Sequence, residues 1–507
     1  MPMLGSIKST IKDSAIYGFG NIAVKLVGLV LIPIYTDKKY FSTEEFGIIG
    51  LLDISGLVLI ALLSVSLQQS FTRWFWDKDY RDNQKGIFFM VFVSQIVIAA
   101  LLCLILIPFS GTFSRILFQN TDWTRAITFL VIASAIQSVN YIISTLMRLQ
   151  SRSSLYSITN IAKLIIVLIL TLYFILSLKM GIDGIYLAQI IGNAAYILML
   201  SGYALKNSKI YFSWEVMKEM NAYGLPLFVG GLSAVFLNVI DRYSLNSMSA
   251  LTAVALYTLA IKISSVIKLA IVDSVRLAIL PTFLKKMDSP DNKRYYSKIL
   301  TYTSFATMCA IVAVSIFSME LIKLLTTSRD FWGAIAIVPI LSLSVFFINM
   351  KEVTVYGLYI AKKSRTFGWI VITATILNLA LNIVFIPLWD ITGAALATLL
   401  AQFFYWLGCY IFAQRVFYVP YEMKKLLILL FTGTFFSFSS LFLNHLDLAL
   451  RLPLKFIMVI LFPFVIYIFR FYDKVELDAV RGFIKKWSVP GNLKNNLKSL
   501  KEIKDED

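Results

Sequence analysis

The run GIFFMVFVSQIVIAALLCLILIP, residues 86–108, contains no charged residue. A helix needs about 20 apolar residues to cross the hydrocarbon core of a bilayer, so this stretch is long enough to span a membrane. Similar runs recur along the 507 residues, and clusters of charge bound most of them. Hydrophobic residues make up 58% of the chain and charged residues 15%, whereas soluble domains average about 45–50% and about 25%. The sequence therefore predicts an all-α integral membrane protein.

We predict fourteen transmembrane helices and place both termini in the cytoplasm. Of the 47 Lys and Arg residues, 31 lie on the side of the N-terminus, 9 on the opposite side, and the others within spans. Cytoplasmic loops carry the excess of Lys and Arg, which fixes this orientation. The net charge of +18 is thus typical of inner loops and does not indicate nucleic acid. The predicted spans are 15–36, 45–67, 86–108, 125–147, 155–177, 183–205, 224–246, 252–281, 298–324, 334–361, 367–388, 392–414, 424–444 and 452–472.

The chain is weakly self-similar at a shift of about 206–211 residues. GIYLAQIIG begins at Gly184 and GAALATLLA at Gly393, each at the start of a span. Six spans separate the copies, so both have the same orientation, as in the parallel repeats of transporters. We predict two six-helix lobes in a V-shaped arrangement plus two extra C-terminal helices. The predicted divisions are a cytoplasmic N-terminus (1–14), an N-lobe (15–205), a cytoplasmic linker (206–223), a C-lobe (224–414), the last two spans (424–472) and a basic, amphipathic cytoplasmic tail (473–507).

Charged residues within the predicted spans are candidates for function. A charge near the bilayer centre costs about 2.5–3.5 kcal/mol on insertion scales, so these residues are expected to face the interior of the helix bundle. Cations outnumber anions among them, which favours an anionic cargo over a cationic drug. The cations are Lys25, Lys163, Arg242, Lys262, Lys268, Arg276 and Lys351, and the anions are Asp53, Asp241, Asp273 and Glu352.

Lys25 and Lys262 are the strongest candidates for cargo binding. Both lie near the middle of their spans, and neither has an acidic neighbour one turn away on its own helix. Asn21 lies one turn from Lys25 on the same face. A pyrophosphate is a natural counter-charge for a lysine in this position. We therefore predict that both lysines bind an anionic headgroup.

The remaining buried charges have a structural and a functional interpretation. In the structural one, neighbouring opposite charges pair, and cations near the inner ends of spans extend to the membrane surface. In the functional one, cations attract the cargo at entry and receive it near the exit. The structural pairs are Asp273–Arg276 and Lys351–Glu352, the residues that extend to the surface are Lys163 and Lys268, and the cargo contacts are Lys163 and Arg276 at entry and Arg242 at exit.

No nucleotide-binding P-loop occurs in the sequence, so transport must draw on an ion gradient or on the use of its product. Carboxylates in a membrane interior are candidate ion-coupling sites. His445 is the one histidine, with no cysteine or acidic cluster beside it, so we predict no metal site, no cofactor and no catalytic triad. The candidate coupling carboxylates are Asp241, Asp273 and Glu352, with Asp241 first.

Span 7 and its neighbours resemble a known family. The run YGLPLFVGGLSAVFLNVIDRYSLN from Tyr223, followed by VALYTLAIKI from Val254, resembles the polysaccharide-repeat-unit (O-antigen type) flippases. These belong to the multidrug/oligosaccharidyl-lipid/polysaccharide export superfamily. The run NLALNIVFIPLWDITGAALATLLAQ from Asn378 is similar to the later region of this family. YGFGNIAVKLVGLVLIPIYT from Tyr17 and STEEFGI from Ser42 also resemble it, so the resemblance covers spans 1 to 12.

The resemblance implies a flippase and not an enzyme. Its cargo would be an undecaprenyl-pyrophosphate-linked oligosaccharide, moved from the inner to the outer leaflet of the bacterial cytoplasmic membrane by alternating access. That activity serves surface polysaccharide, including lipopolysaccharide, biosynthesis in the cell envelope. Besides the lipid bilayer, a polysaccharide polymerase and chain-length machinery are the implied partners. The residues carried over are Asn238, Asp241, Arg242, Tyr257 and Lys262.

Other functions remain open at this point. A multidrug exporter of the same superfamily would share the fold, but cationic drugs favour acidic cavities. Peptidoglycan-precursor flippases share the count of fourteen spans, but the closely spaced arginines of their first span are absent here, where only Lys25 stands. A membrane polymerase or ligase would need a long outer loop, and the predicted spans leave none. A scaffold for other glycan enzymes would not need lysines at mid-membrane depth.

Overall fold

The computed structural model describes residues 28–274, 276, 292–474 and 476–478. Within them every regular element is helical, and 12 helices are long and apolar enough to cross a membrane. The prediction of an all-α membrane protein is confirmed. The helices are α1 (Thr43–Trp74), α2 (Gln84–Leu106), α3 (Thr124–Leu149), α4 (Ser153–Leu172), α5 (Gly181–Lys206), α6 (Trp214–Met248), α7 (Leu251–Ile267), α8 (Asn292–Ile316), α9 (Val338–Thr354), α10 (Ser364–Val416), α11 (Met423–Phe442) and α12 (Leu448–Ile468).

These helices match the predicted spans from the second onwards, because α10 contains two of them. The first predicted span, 15–36, lies mostly outside the described residues, as does most of the predicted tail. The count of fourteen and the division into lobes therefore stay predictions. Below, α1–α5 are called the N-terminal half and α6–α12 the C-terminal half.

A backbone break divides α10 into two arms. Asp390 has φ 48° and ψ −127°, outside the helical region. Three residues later, a Cβ at Gly393 would lie 2.1 Å from the carbonyl oxygen of Phe385, so the backbone passes too close for any side chain. Asn382 and Thr398, on opposite sides of the break, both contact Asp241. A straight helix would separate them by about 24 Å, so the two arms lie side by side.

Small residues let α1 and α7 approach closely. A Cβ at Gly47 would lie 2.2 Å from the carbonyl oxygen of Leu251, and one at Gly50 would lie 2.5 Å from Thr258 Oγ1. Contacts of this kind are how helices pack in a membrane, where no hydrophobic effect drives them together. The paired residue numbers rise together along both helices, so α1 and α7 run parallel. The next positions on these facing surfaces are Asp53 and Lys262.

Contacts between segments far apart in the sequence stabilise the region where α1 and α7 begin. Ser42 forms a capping box with Glu45, which fixes the start of α1. Asp330, in a 3₁₀ helix at Arg329–Ala336, forms an ion pair with Lys38 Nζ at 2.7 Å. It also accepts a hydrogen bond from Thr43 Oγ1 at 3.0 Å. These contacts connect the N-terminal half to the segment between α8 and α9.

Charge clusters connect the last two helices to α8 and to the short helix Ser318–Leu325 that follows α8. At one end, Glu320 accepts hydrogen bonds from Arg451 Nε and Lys455 Nζ, both at 2.7 Å. At the other end, Lys298 pairs with Glu422 at 2.8 Å and with Asp473. Because Lys455 is fully buried, its charge depends on the first cluster for compensation.

Candidate functional site

Asp53 of α1 and Lys262 of α7 form an ion pair between the two halves. Lys262 Nζ lies 3.8 Å from Asp53 Oδ2 and 5.4 Å from the ring centroid of Phe46. Both residues lie about 15 Å along their helices, near mid-depth of a membrane. Lys262 has no acidic neighbour one turn away on its own helix. Its partner comes from another helix, which the sequence around Lys262 does not show.

Arg242 of α6 adds a second cation. Its Nη2 donates to the carbonyl oxygen of Asn238 at 2.8 Å, while its Nε is buried and has no hydrogen-bond partner among the described residues. Asp53 and Asp241 both lie within electrostatic range of its guanidinium group. An unpartnered buried N–H is available to a ligand oxygen. Asn238 itself is exposed, and its amide donates to Ala234 on the preceding turn.

A cavity of about 240 Å³ adjoins the ion pair. Three helices of the N-terminal half line it, each with residues three or four positions apart, a spacing that places them on one helix face. The side chain of Asp53 is 40% exposed despite its depth, and Tyr186 OH donates to Asp53 Oδ1 at 3.4 Å. The lining includes Asp53, Leu57 and Ile60 of α1, Leu130, Ser134 and Gln137 of α3, and Tyr186 and Gln189 of α5.

Asp241 lies in a closed polar shell in the C-terminal half. It is 1% exposed and accepts hydrogen bonds from Tyr257 OH at 2.9 Å, Thr398 Oγ1 at 2.8 Å and Asn382 Nδ2 at 2.9 Å. The donors come from α7 and from both arms of α10. Tyr257, predicted to contact the cargo, is fully buried here and bonds to Asp241. Asn382 Nδ2 also donates to Asn378 Oδ1 at 2.6 Å, which extends the shell.

A third charged group lies at the end of α9. Lys351 Nζ donates to Glu352 Oε1, which confirms the predicted pair. Arg276 and Lys268 lie within electrostatic range of Glu352. The predicted pair Asp273–Arg276 stays a prediction.

Lys163 of α4 points into the N-terminal half. Its Nζ donates to Asn193 Oδ1 at 3.3 Å and lies 5.4 Å from the ring centroid of Tyr196. Both partners belong to α5, and both are buried. The interpretation that Lys163 extends to the membrane surface is therefore wrong. The predicted residues Lys25 and Asn21 lie outside the described residues.

The partners that define these sites leave little signal in the sequence. The sequence indicates Asp53 as a buried anion but not as part of a cargo site, and it does not indicate Tyr186, Asn382 or Thr398. The spacing of Gly47, Gly50 and Asp53, three residues apart, is a signal that could have indicated a helix-contact face. No sequence signal connects that face to α7.

Comparisons with known proteins agree with this architecture. The fold is similar to that of a solved lipid II flippase MurJ in an inward closed conformation, with a TM-score of 0.66, 14% identity, and coverage of 89% of this chain and 98% of that one. An inward-facing multidrug resistance transporter of the MATE family, in the MOP superfamily, gives a TM-score of 0.65 at 12% identity, covering 79% and 94%. At these identities the likeness concerns the fold alone.

Fold and site together define a multi-span helical membrane protein with an ion pair and a cavity between its helices. A family described as "Polysaccharide biosynthesis protein" matches residues 40–335, and the chain belongs to this family. An uncharacterized membrane protein of Methanocaldococcus jannaschii is 21% identical over 301 residues, or 57% of this chain. The chain thus matches 59% of the length of that relative.

Proposed function

We propose that this transporter carries an undecaprenyl-pyrophosphate-linked oligosaccharide across the membrane by alternating access, for surface polysaccharide assembly. The observation that carries the proposal is the Asp53–Lys262 ion pair, which joins the two halves at mid-depth beside a cavity. Arg242 lies within electrostatic range of Asp53, so it is close enough to attract an anion bound at Lys262. Two cations against one accessible carboxylate favour an anionic cargo.

The ion pair suits a site that alternates between empty and loaded states. Without cargo, Asp53 compensates Lys262, which would otherwise be an uncompensated charge in a region of low dielectric. A pyrophosphate presents several acceptor oxygens and more than one negative charge, so it competes well for the three donors of an ammonium group. The Nε of Arg242 offers a further donor. The displaced Asp53 stays within electrostatic range of Arg242.

Asp241 is our proposed coupling carboxylate. It is buried beside Arg242, and its shell combines three donors from α7 and α10. Exchange of a proton or a monovalent cation at Asp241 would change the charge next to Arg242 and alter the packing of α6 against α10. Asp273 and Glu352 remain secondary candidates. Glu352 is already paired with Lys351.

A peptidoglycan-precursor flippase is the second candidate. The likeness in fold to the lipid II flippase, across 98% of that chain, favours it. Its cargo also carries a pyrophosphate, so the same ion pair would serve. A cationic drug is a poorer match, because both acidic residues of the site are already compensated, Asp53 by Lys262 and Asp241 by its shell.

A leaflet-to-leaflet transport assay tests the proposal. The purified full chain would be reconstituted in liposomes that contain undecaprenyl-pyrophosphate-linked sugar, and appearance of the sugar in the outer leaflet would be followed with an impermeant lectin or enzyme. We expect flipping of the pyrophosphate-linked sugar and none of a cationic dye. Flipping of lipid II instead of the oligosaccharide lipid would establish the second candidate, and transport of the dye alone would overturn both. We place the protein in the bacterial cytoplasmic membrane with both termini inside, where a polymerase and chain-length machinery would use its product.

A further inference from the structure

The cavity beside Asp53 has polar side chains that the protein itself leaves without partners. Ser134, Gln137 and Gln189 line it, and their side chains make no hydrogen bond to another residue in the described part of the chain. Ser134 is 3% exposed, so it is more than nine-tenths buried. In a membrane interior such groups are costly unless a ligand or water completes their hydrogen bonds. Their arrangement therefore points to an occupant.

We propose that this cavity is the subsite for the sugar that is attached directly to the pyrophosphate. This inference rests on the proposed function and identifies the part of the cargo that the protein recognises. Each glutamine offers two donors and one acceptor, and Ser134 and Tyr186 add hydroxyl groups. Such neutral groups, able both to donate and to accept, match sugar hydroxyl and acetamido groups.

The position of the cavity assigns it to the first sugar and not to a distal one. Asp53 belongs both to the lining and to the ion pair, because its Oδ2 lies 3.8 Å from Lys262 Nζ while its Oδ1 accepts from Tyr186. A pyrophosphate on Lys262 would therefore place its attached sugar at the mouth of the cavity. The volume of about 240 Å³ equals that of about eight water molecules, which is room for one sugar ring.

Asp53 also sets a specificity. When pyrophosphate occupies Lys262, the carboxylate of Asp53 faces the sugar without its lysine partner. A neutral sugar can donate a hydroxyl hydrogen bond to it, whereas the carboxylate of a uronic acid would be repelled. The cavity is thus selective for a neutral or acetamido sugar at the pyrophosphate end.

The test compares three lipids that share the undecaprenyl chain and pyrophosphate. One carries no sugar, one carries N-acetylglucosamine and one carries glucuronic acid, and each is titrated against the full-length protein in nanodiscs. We expect the N-acetylglucosamine lipid to bind about 10-fold more tightly than the bare pyrophosphate lipid, since two or three neutral hydrogen bonds account for that ratio. The glucuronic acid lipid should bind no better than the bare one.

Variants separate the subsite from the pyrophosphate site. In a Gln137→Leu, Gln189→Leu double variant we expect the preference for the sugar-bearing lipid to disappear while binding of the bare lipid is unchanged. Gln68→Leu is the matched control, because Gln68 is bonded to Thr145 and does not line the cavity. Lys262→Gln should weaken binding of all three lipids.

The outcomes are distinct. If the bare lipid and the N-acetylglucosamine lipid bind equally to the wild-type protein, the cavity does not bind the sugar. The subsite is then wrong, while the proposed function stands. If a sugar preference survives the double variant, the sugar is recognised elsewhere, and the subsite is again wrong. If no pyrophosphate lipid binds, the proposed function fails and the subsite with it.

Discussion

Asp53 and Lys262 meet at 3.8 Å where Gly47 and Gly50, on the preceding turns, let α1 and α7 approach closely. The ion pair is thus a product of helix packing as much as of charge. Its place between the halves makes it sensitive to any movement of α1 relative to α7. In the alternating-access cycle that we propose, a charged cargo would drive such a movement by competing for one of the two charges.

The first prediction concerns the charge of Lys262. Lys262→Gln should abolish transport at near-normal protein level, whereas Lys262→Arg should retain a substantial part of it, because the phosphate requires a positive charge. The exchange variant Asp53→Lys, Lys262→Asp should keep an ion pair and a near-normal protein level but not transport, since the cation then lies on the other helix. Full transport by Lys262→Gln would contradict a cargo role for this residue.

The second prediction concerns coupling through Asp241. Asp241→Asn keeps the size of the side chain but removes the exchangeable charge, so transport should lose its dependence on an imposed ion gradient and fall by about 10-fold or more. Tyr257→Phe, which removes one donor of the shell, should have a smaller effect. The measurement is transport in proteoliposomes with proton and sodium gradients imposed separately. Wild-type indifference to both gradients would eliminate the antiport hypothesis.

The third prediction concerns helix packing at Gly47. A Cβ there would lie 2.2 Å from a backbone oxygen of Leu251, so Gly47→Ala must push α1 and α7 apart. Such overpacking typically lowers the free energy of unfolding by about 1–3 kcal/mol. Gly202→Ala is the control, because a Cβ at Gly202 meets nothing within 4 Å, and alanine there should be neutral or stabilising by up to about 1 kcal/mol. Equal thermal stability of the two variants in detergent would argue against the close contact.

The fourth prediction concerns pH and the charge cluster that holds the C-terminal helices. Hydrogen bonds from Lys298 and Lys425 lower the pKa of Asp473. Burial opposes the same change at Glu422, but hydrogen bonds from Lys298 and Thr301 outweigh it, and the pKa of Glu422 is also lowered. A carboxylate with a lowered pKa stabilises the fold above its ordinary pKa, about 4. That contribution is lost as the pH falls through the lowered value.

The measurement for this cluster is the thermal midpoint of the detergent-solubilised protein between pH 7 and pH 3. We expect a plateau at the upper end and a fall below about pH 4. Asp473→Asn should lower the plateau and reduce the fall. Asp447→Asn, at an exposed position, should leave both unchanged. A profile of Asp473→Asn identical to that of the wild type would show that the cluster contributes nothing.

The fifth prediction concerns topology. The excess of Lys and Arg on one side predicts both termini in the cytoplasm and an even number of spans. A reporter that is active only outside the cytoplasm should be silent when fused after Asp507 and active when inserted within 247–251. Activity of the C-terminal fusion would require an odd number of spans and would refute the fourteen-span prediction.

The positions of the helices could be predicted from the sequence because burial in lipid leaves a local signal. Each span must satisfy its own backbone hydrogen bonds and must be apolar over about 20 residues. The ends of a span can therefore be recognised from one continuous stretch of sequence. The pair Lys351–Glu352 could also be predicted from local sequence, because its two residues are adjacent. The helix break at Asp390 coincides with a short gap between two predicted spans.

The partners in the candidate site could not be predicted, because they come from helices far apart in the chain. Tyr257 was selected by resemblance as a cargo contact, yet its hydroxyl bonds to Asp241 together with Thr398 from the returning arm of α10. Lys163 was expected at the membrane surface, yet it turns toward Asn193. Which side of a helix meets which neighbour depends on packing between helices, and a hydropathy pattern does not contain that information.

The sequence alone determined that this protein is a multi-span helical membrane protein with a basic interior, because hydropathy and charge are properties of single residues and short windows. Only the tertiary structure decided that Lys262 is balanced by Asp53 and that a cavity with unpartnered amide groups lies beside them. Those facts depend on glycines that bring α1 within contact distance of α7, and on three helices that together line the cavity. An ion pair or a cavity exists only where distant segments meet, so it is a property of the packed helices and not of any one of them.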